Sequence, residues 1–88
     1  MGYRIVPTAR FEKDLRKIGR SNAVQVLRWV AENLEGADDP RQRGKRLRHQ
    51  LKDYWRYRIG DYRLFATIVD DELVLELVTV AHRREIYQ

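Results

Sequence analysis

Cysteine is absent from the 88 residues, which excludes disulfides, thiolate nucleophiles and any Cys-based zinc or iron–sulfur site. Serine occurs once, as Ser21, at a position that reads as a helix cap, so a serine-hydrolase arrangement has little support. The two histidines, His49 and His82, lack metal-ligand spacing, and Asp70, Asp71 and Glu72 read as a solvated turn. No metal or other cofactor is expected. No apolar stretch nears membrane-spanning length, and the opening MGYRIVPTAR carries charge where a signal peptide needs an apolar run. A soluble cytoplasmic protein without a membrane partner is the expectation.

What is present suffices for one domain over residues 1–88. With 43% hydrophobic residues and two tryptophans the chain can build a core, though one of modest size. The net charge is +5 and unevenly placed: residues 1–40 carry +1, residues 41–63 carry +7 and residues 64–88 carry −3. A basic cluster of that kind is an electrostatic footprint for a polyanion, with nucleic acid the leading candidate. Arg41, Arg43, Lys45, Arg46 and Arg48 form the candidate RNA-facing run. Taken alone, Arg41, Arg43, Lys45 and Arg46 fit a solvated basic loop slightly better, and the hairpin that follows shifts the balance.

Tyr3–Val6, closed by Pro7, reads as a strand. Thr8 can cap a helix with Phe11, Leu15 and Ile18 on one face, ended by Gly19. Ser21 or Asn22 then caps a second helix, whose apolar stripe is Val24, Leu27, Ala31 and Leu34, widened by Val30, up to Gly36. Phe11 and Trp29 read as core aromatics. Residues 37–50 are polar and basic, and read as a loop with one turn of helix. Strands follow at Tyr54–Ile59, Tyr62–Val69 and Leu73–Ala81, the last two joined near Asp70-Asp71, before a short charged ending, HRREIYQ. The order strand–helix–helix–strand–strand–strand predicts an α+β domain: a three-stranded antiparallel meander joined by the first strand, with both helices on one face.

The segment YWRYRIGDYRLF, residues 54–65, folds about Gly60-Asp61 into a hairpin that sets Arg58 directly opposite Arg63. Like charges so placed cost roughly 0.2–1 kcal/mol in the free protein. Alternation points Trp55, Tyr57, Ile59, Leu64, Ala66, Ile68, Leu73, Leu75 and Leu77 to the helices and leaves Arg56, Arg58, Arg63 and Phe65 on the other face. Pairing of Val69 with Glu72 would put His82 on that arginine face, with Arg83 just beyond it.

A phosphate between Arg58 and Arg63 converts their repulsion into charge-assisted hydrogen bonds. RNA cleavage without a metal needs a base for the 2′-hydroxyl, cations for the charged phosphorane and an acid for the leaving 5′-oxygen. His82 and Tyr87 are the candidate proton carriers, either one as acid or base. Tyr54 and Phe65 are placed to stack a base or to pack on the C-terminal segment. Tyr87 equally fits a C-terminal anchor, and His49 reads as an ordinary polar residue.

These residues, in order, resemble the RelE-type toxins of bacterial type II toxin–antitoxin systems, within the wider RelE/ParE family. The likeness runs from FEKDLRKI through KRLRHQLKDYWRYRIGDYRLF to the closing VTVAHRREIY. It implies the RelE-like fold and a ribosome-dependent, metal-independent mRNA interferase that leaves 2′,3′-cyclic phosphate and 5′-hydroxyl ends. Matched positions assign Arg56 and Arg58 to the basic pair of the strand, Arg63 to the Gly-x-Tyr-Arg arginine, and Arg83 and Tyr87 to the closing motif. Some members carry lysines where this chain has Arg56 and Arg58, and an arginine cannot act as the base. That moves proton transfer to His82 and Tyr87. The resemblance also implies an acidic, wrapping antitoxin, besides the ribosome and mRNA. The alternatives are a ParE-like inhibitor of DNA gyrase and a non-catalytic nucleic-acid-binding module.

Overall fold

A computed structural model describes residues 2–49 and 52–86. Strand β1 (Arg4–Pro7) leads into helices α1 (Ala9–Ile18) and α2 (Arg20–Asn33). Strands β2 (Lys45–His49), β3 (Lys52–Ile59), β4 (Tyr62–Val69) and β5 (Val74–His82) follow, and a four-residue helix α3 (Arg83–Ile86) ends the described chain. The five strands form one sheet in the order β1-β5-β4-β3-β2. Strand β1 runs parallel to β5, and all other neighbours are antiparallel. This is the expected α+β fold, with the first strand on β5 and the helical hairpin on one face.

Apolar alternation built that face. Tyr57, Ile59, Leu64, Ala66, Leu75 and Leu77 are buried against Phe11 of α1, Val26 and Val30 of α2 and the C-cap Leu34, with Trp55 and Ile68 partly buried beside them. Leu73 is not among them. It sits at φ 52°, in the left-handed region, after a 3₁₀ turn at Asp70–Glu72, and is exposed. The second helix is rotated from the stripe expected for it: Val24 and Leu27 are about half exposed and Ala31 is exposed. Its buried set is Val26, Val30 and Leu34, spaced i, i+4, i+8; Val30 and Leu34 belong to the expected stripe and Val26 does not. Nor does Ser21 or Asn22 cap it: Gly19 is the cap residue, and the Asn22 amide donates to the Ile18 carbonyl (2.9 Å) at the end of α1.

Residues 37–50 differ most from expectation. A single 3₁₀ turn at Pro40–Gln42 is present, but Lys45–His49 is a strand paired with β3, Lys45 opposite Arg56 and Leu47 opposite Tyr54. A basic edge strand carries too few apolar residues for alternation to reveal it, and edge charge is itself a device against sheet-to-sheet aggregation.

One extra residue in β5 decides the face of everything after it. Val69 pairs with Val74 and Ala66 with Leu77, but Phe65 pairs with Thr79, so a bulge at Val78 shifts the register. Thr8 holds this point. Its hydroxyl contacts the carbonyls of Leu77 (2.8 Å) and Val78 (3.1 Å), and its backbone N–H donates to Leu77 (3.0 Å). The same hydroxyl accepts from the Phe11 N–H (3.1 Å) as the cap of α1. Thr8→Ala should therefore cost about 1–2 kcal/mol, at the upper end for a lost cap, and Thr8→Ser much less, as read by urea unfolding.

Candidate functional site

The hairpin turn is type II′: φ is 59° at Gly60 while Asp61 stays negative, and Ile59 pairs with Tyr62. Arg58 therefore lies opposite Arg63, and Arg56 opposite Phe65, as the spacing requires. Arg63 is flanked on its other side by Ala81, whose methyl leaves room for a long neighbour. The guanidinium is 3% exposed although it lies on the face away from the helices. Its Nη1 donates to the carbonyls of Gly60 (3.2 Å) and Tyr62 (3.1 Å), wrapping the turn. Its Nε is buried and, among the described residues, has no partner. With Nη2, Nε forms the edge of the fork that grips a phosphate in bidentate fashion.

Other cations gather around this point. Arg58 is exposed, Arg56 half-buried, and Lys45 follows Arg56 across the β2–β3 ladder on the same face. Arg83 opens α3 beside the hairpin: its backbone N–H donates to the Asp61 carbonyl (2.8 Å) and its Nε lies 3.8 Å from Asp61 Oδ1. The Tyr54 and Phe65 rings stack with centroids 6.3 Å apart on this face. A cleft of about 230 Å³ lies at the edge, lined by Trp29, Arg43, Gly44, Lys45, Arg56 and Arg58. Trp29, read from the sequence as core, thus also faces the cationic edge while its ring packs against Tyr57 at 5.7 Å.

Not every predicted residue converges. His82 pairs with Tyr62, not Arg63, because the bulge reverses its parity, so it belongs to the helix-side face. Its ring meets Tyr62 edge-on, with centroids 5.4 Å apart. Arg46 pairs with Trp55 and Arg48 with Asp53, so both alternate to the helix side, and Arg48 makes an exposed ion pair with Asp53 at 3.4 Å. Arg43 presents its carbonyl to the Trp55 indole. Tyr87 lies outside the described residues. Among those residues no group of three or more His, Asp or Glu side chains could hold a metal, and no helix is long and apolar enough to cross a membrane.

Arg41 is committed elsewhere. Its Nη1 and Nη2 bind both Asp70 oxygens (3.0 and 2.9 Å), and the Tyr3 hydroxyl donates to Asp70 Oδ1 (2.6 Å). Asp70 closes β4, seven residues from Arg63, roughly 23 Å away along an extended strand. The Arg41 guanidinium first, and the Tyr3 hydroxyl second, hold the Asp70 carboxyl below the usual range. The carboxylate in turn raises the Tyr3 phenol and Arg41. Burial raises the Tyr57 phenol, whose hydroxyl donates to the Pro40 carbonyl (2.7 Å). A carboxyl depressed by folding adds stability above its unfolded value and loses it as pH falls through the folded one. The wild type should therefore melt lower as pH drops below about 4, and Asp70→Asn should flatten that part of the melting-temperature profile.

The family described as "ParE toxin of type II toxin-antitoxin system, parDE" matches residues 5–87. The chain belongs to this family. Solved structures of RelE toxins share the fold, and one of them exceeds a quarter of identical residues. The toxin in the RelBE2 complex of Mycobacterium tuberculosis is 28% identical over 94% of this chain and 93% of its own, with a TM-score of 0.82. RelE of the RelE–RelB complex from Pyrococcus horikoshii OT3 is 23% identical over 94% and 97%, with a TM-score of 0.71. The isolated Escherichia coli RelE toxin is 23% identical over 92% and 84%, with a TM-score of 0.68, and like the archaeal protein it supports the fold alone. Comparison with curated proteins gives no match. This RelE/ParE toxin thus carries Lys45, Arg56, Arg58 and Arg63 on the sheet face turned away from the helices.

Proposed function

We propose that the toxin is a ribosome-dependent mRNA interferase whose scissile phosphate sits between Arg58 and Arg63. The observation that carries this reading is the buried Arg63, whose Nε has no partner among the described residues, opposite a second arginine. A guanidinium held without a carboxylate in a dry site is preorganised for a charge that arrives later. In the proposed reaction the 2′-oxygen attacks phosphorus, its proton passes to a base, and the P–O5′ bond breaks as an acid protonates O5′. Arg56, Arg58, Arg63 and Arg83 carry the phosphorane charge. Lys45, Tyr54 and Trp29 line the path of the flanking nucleotides. With His82 on the other face, Tyr87 is the remaining candidate of the two for proton transfer.

A second reading has its own support. The family takes its description from ParE, and His82, the histidine expected among the arginines, pairs with Tyr62 on the other face. A gyrase inhibitor would use the same cations without chemistry. An in vitro translation assay with mapped transcript 5′ ends separates the two, run beside a gyrase supercoiling assay. Cleaved message supports the interferase; intact message with blocked supercoiling supports the inhibitor. Arg58→Gln offers a sharper check: cleavage should fall while the free protein stays as stable or gains up to about 1 kcal/mol from relieved repulsion. Marked destabilisation in urea would expose a structural partner for Arg58.

The partner proposed for the free state is an acidic antitoxin, the counterpart of the RelB chains in the two similar complexes. The exposed Val24–Leu27–Ala31 ridge, flanked by Arg16, Arg20 and Arg28, gives such a partner apolar area with a cationic rim.

A further inference from the structure

We infer that His82 is a positioning residue that caps α3 and thereby fixes Arg83 at the mouth of the arginine site. This inference rests on the interferase reading for its effect on cleavage, but its geometry stands apart from that reading. His82 is the residue before α3, and its Nδ1 accepts a hydrogen bond from the Arg84 N–H (3.1 Å). That is the bond an N-cap side chain makes to the second residue of a helix. An accepting Nδ1 requires the single ring proton to sit on Nε2. The edge-on contact with Tyr62 fixes the plane of the ring so that Nδ1 faces the turn.

Helix α3 has only four residues, too few to hold itself together without tertiary support. Two contacts tie its start to the body of the protein. The Arg83 N–H donates to the Asp61 carbonyl (2.8 Å), and the Arg84 N–H donates to His82. Both act on the first turn, from which the Arg83 side chain reaches the hairpin. The bulge at Val78 is what makes this possible: without it His82 would project among the arginines and could not meet Tyr62. The histidine has exchanged a place in the proton-transfer chemistry for a place in its scaffold.

The ring lies in a polar cleft where α1 presents Arg10, Asp14 and Lys17, β4 presents Tyr62 and α3 presents Glu85. Asp14 is hydrogen-bonded to Thr79.

The test compares His82→Ala with His82→Asn, because asparagine offers its Oδ1 close to where Nδ1 stands and is among the best cap residues. His82→Ala should speed exchange of the Arg84 amide about fivefold relative to that of Leu64, a core reference for global stability. It should lower kcat for message cleavage about tenfold with little change in KM. His82→Asn should keep both near wild type. An asparagine variant that protects the Arg84 amide yet cleaves as poorly as the alanine variant would return His82 to a proton-transfer role and overturn the inference. Unchanged Arg84 exchange in His82→Ala would overturn it as well. If even the wild type cleaves no message, the interferase reading fails. The exchange results then decide the capping role alone, loss in alanine with retention in asparagine upholding it.

Discussion

Replacing Arg63 with methionine should abolish message cleavage without harming the fold. Loss of one preorganised donor to a developing oxyanion lowers turnover by about 10²–10³-fold, and Arg63 stands nearest the centre of the proposed site. Its cost to the free protein runs the other way. The guanidinium is 3% exposed, faces Arg58 across the ladder, and leaves Nε unpartnered among the described residues. A buried charge without a carboxylate is a net burden, and an apolar side chain of similar length in such a place is neutral or stabilising. The lost bonds to the Gly60 and Tyr62 carbonyls soften this, but the turn is exposed at Gly60 and water can replace Nη1 there. The expected stability change lies between zero and a gain of about 2 kcal/mol. Urea unfolding beside a translation-coupled cleavage assay reads both quantities. A variant that loses cleavage and also unfolds early would make Arg63 a structural pin of the hairpin, with the phosphate site an accident of its placement.

The hairpin was legible because two independent signals agreed: Gly60-Asp61 set the turn, and alternation set the face. Those signals carry the Arg58–Arg63 pairing, the buried Tyr57, Ile59, Leu64 and Ala66, and the placement of the helices. Local pattern fails where a tertiary contact selects among options of similar local energy. Val78 has nothing in its own sequence to mark a bulge. The extra residue is accommodated because Thr8, 70 positions away, donates to the carbonyls at that point. One such residue moved His82 across the sheet. The rotation of α2 has the same origin: Val24, Val26, Leu27, Val30, Ala31 and Leu34 allow two overlapping stripes, and packing on β3 chose the one through Val26. Strand β2 was hidden by its own charge. Lys45 belongs to the arginine face only because Gly44 brings the chain to Arg56.

That last contact predicts the largest loss of stability. Gly44 has φ +82°, and a Cβ there would lie 2.3 Å from the Arg56 carbonyl oxygen and 2.9 Å from both Trp55 Nε1 and Tyr57 Cδ1. The left-handed backbone alone costs a non-glycine residue about 1–2 kcal/mol. The clash adds more, because the nearest atom is backbone in the middle of a paired strand and Tyr57 is fully buried. Gly44→Ala should therefore lose about 3 kcal/mol or more, lowering the melting temperature of a domain this size by roughly 12–24 °C. Gly19, also at positive φ but with nothing within 4 Å of its added Cβ, supplies the control. Gly19, at ψ 157°, lies in the extended positive-φ region, so Gly19→Ala should lose only a backbone share of about 1–3 kcal/mol. If the two variants melt together, the close approach at Arg56 relaxes freely and β2 is not held against β3 there. If Gly44→Ala alone falls far, the strand pairing that brings Lys45 beside Arg56 is part of the folded core. The cationic face is then built by the same packing that stabilises the domain.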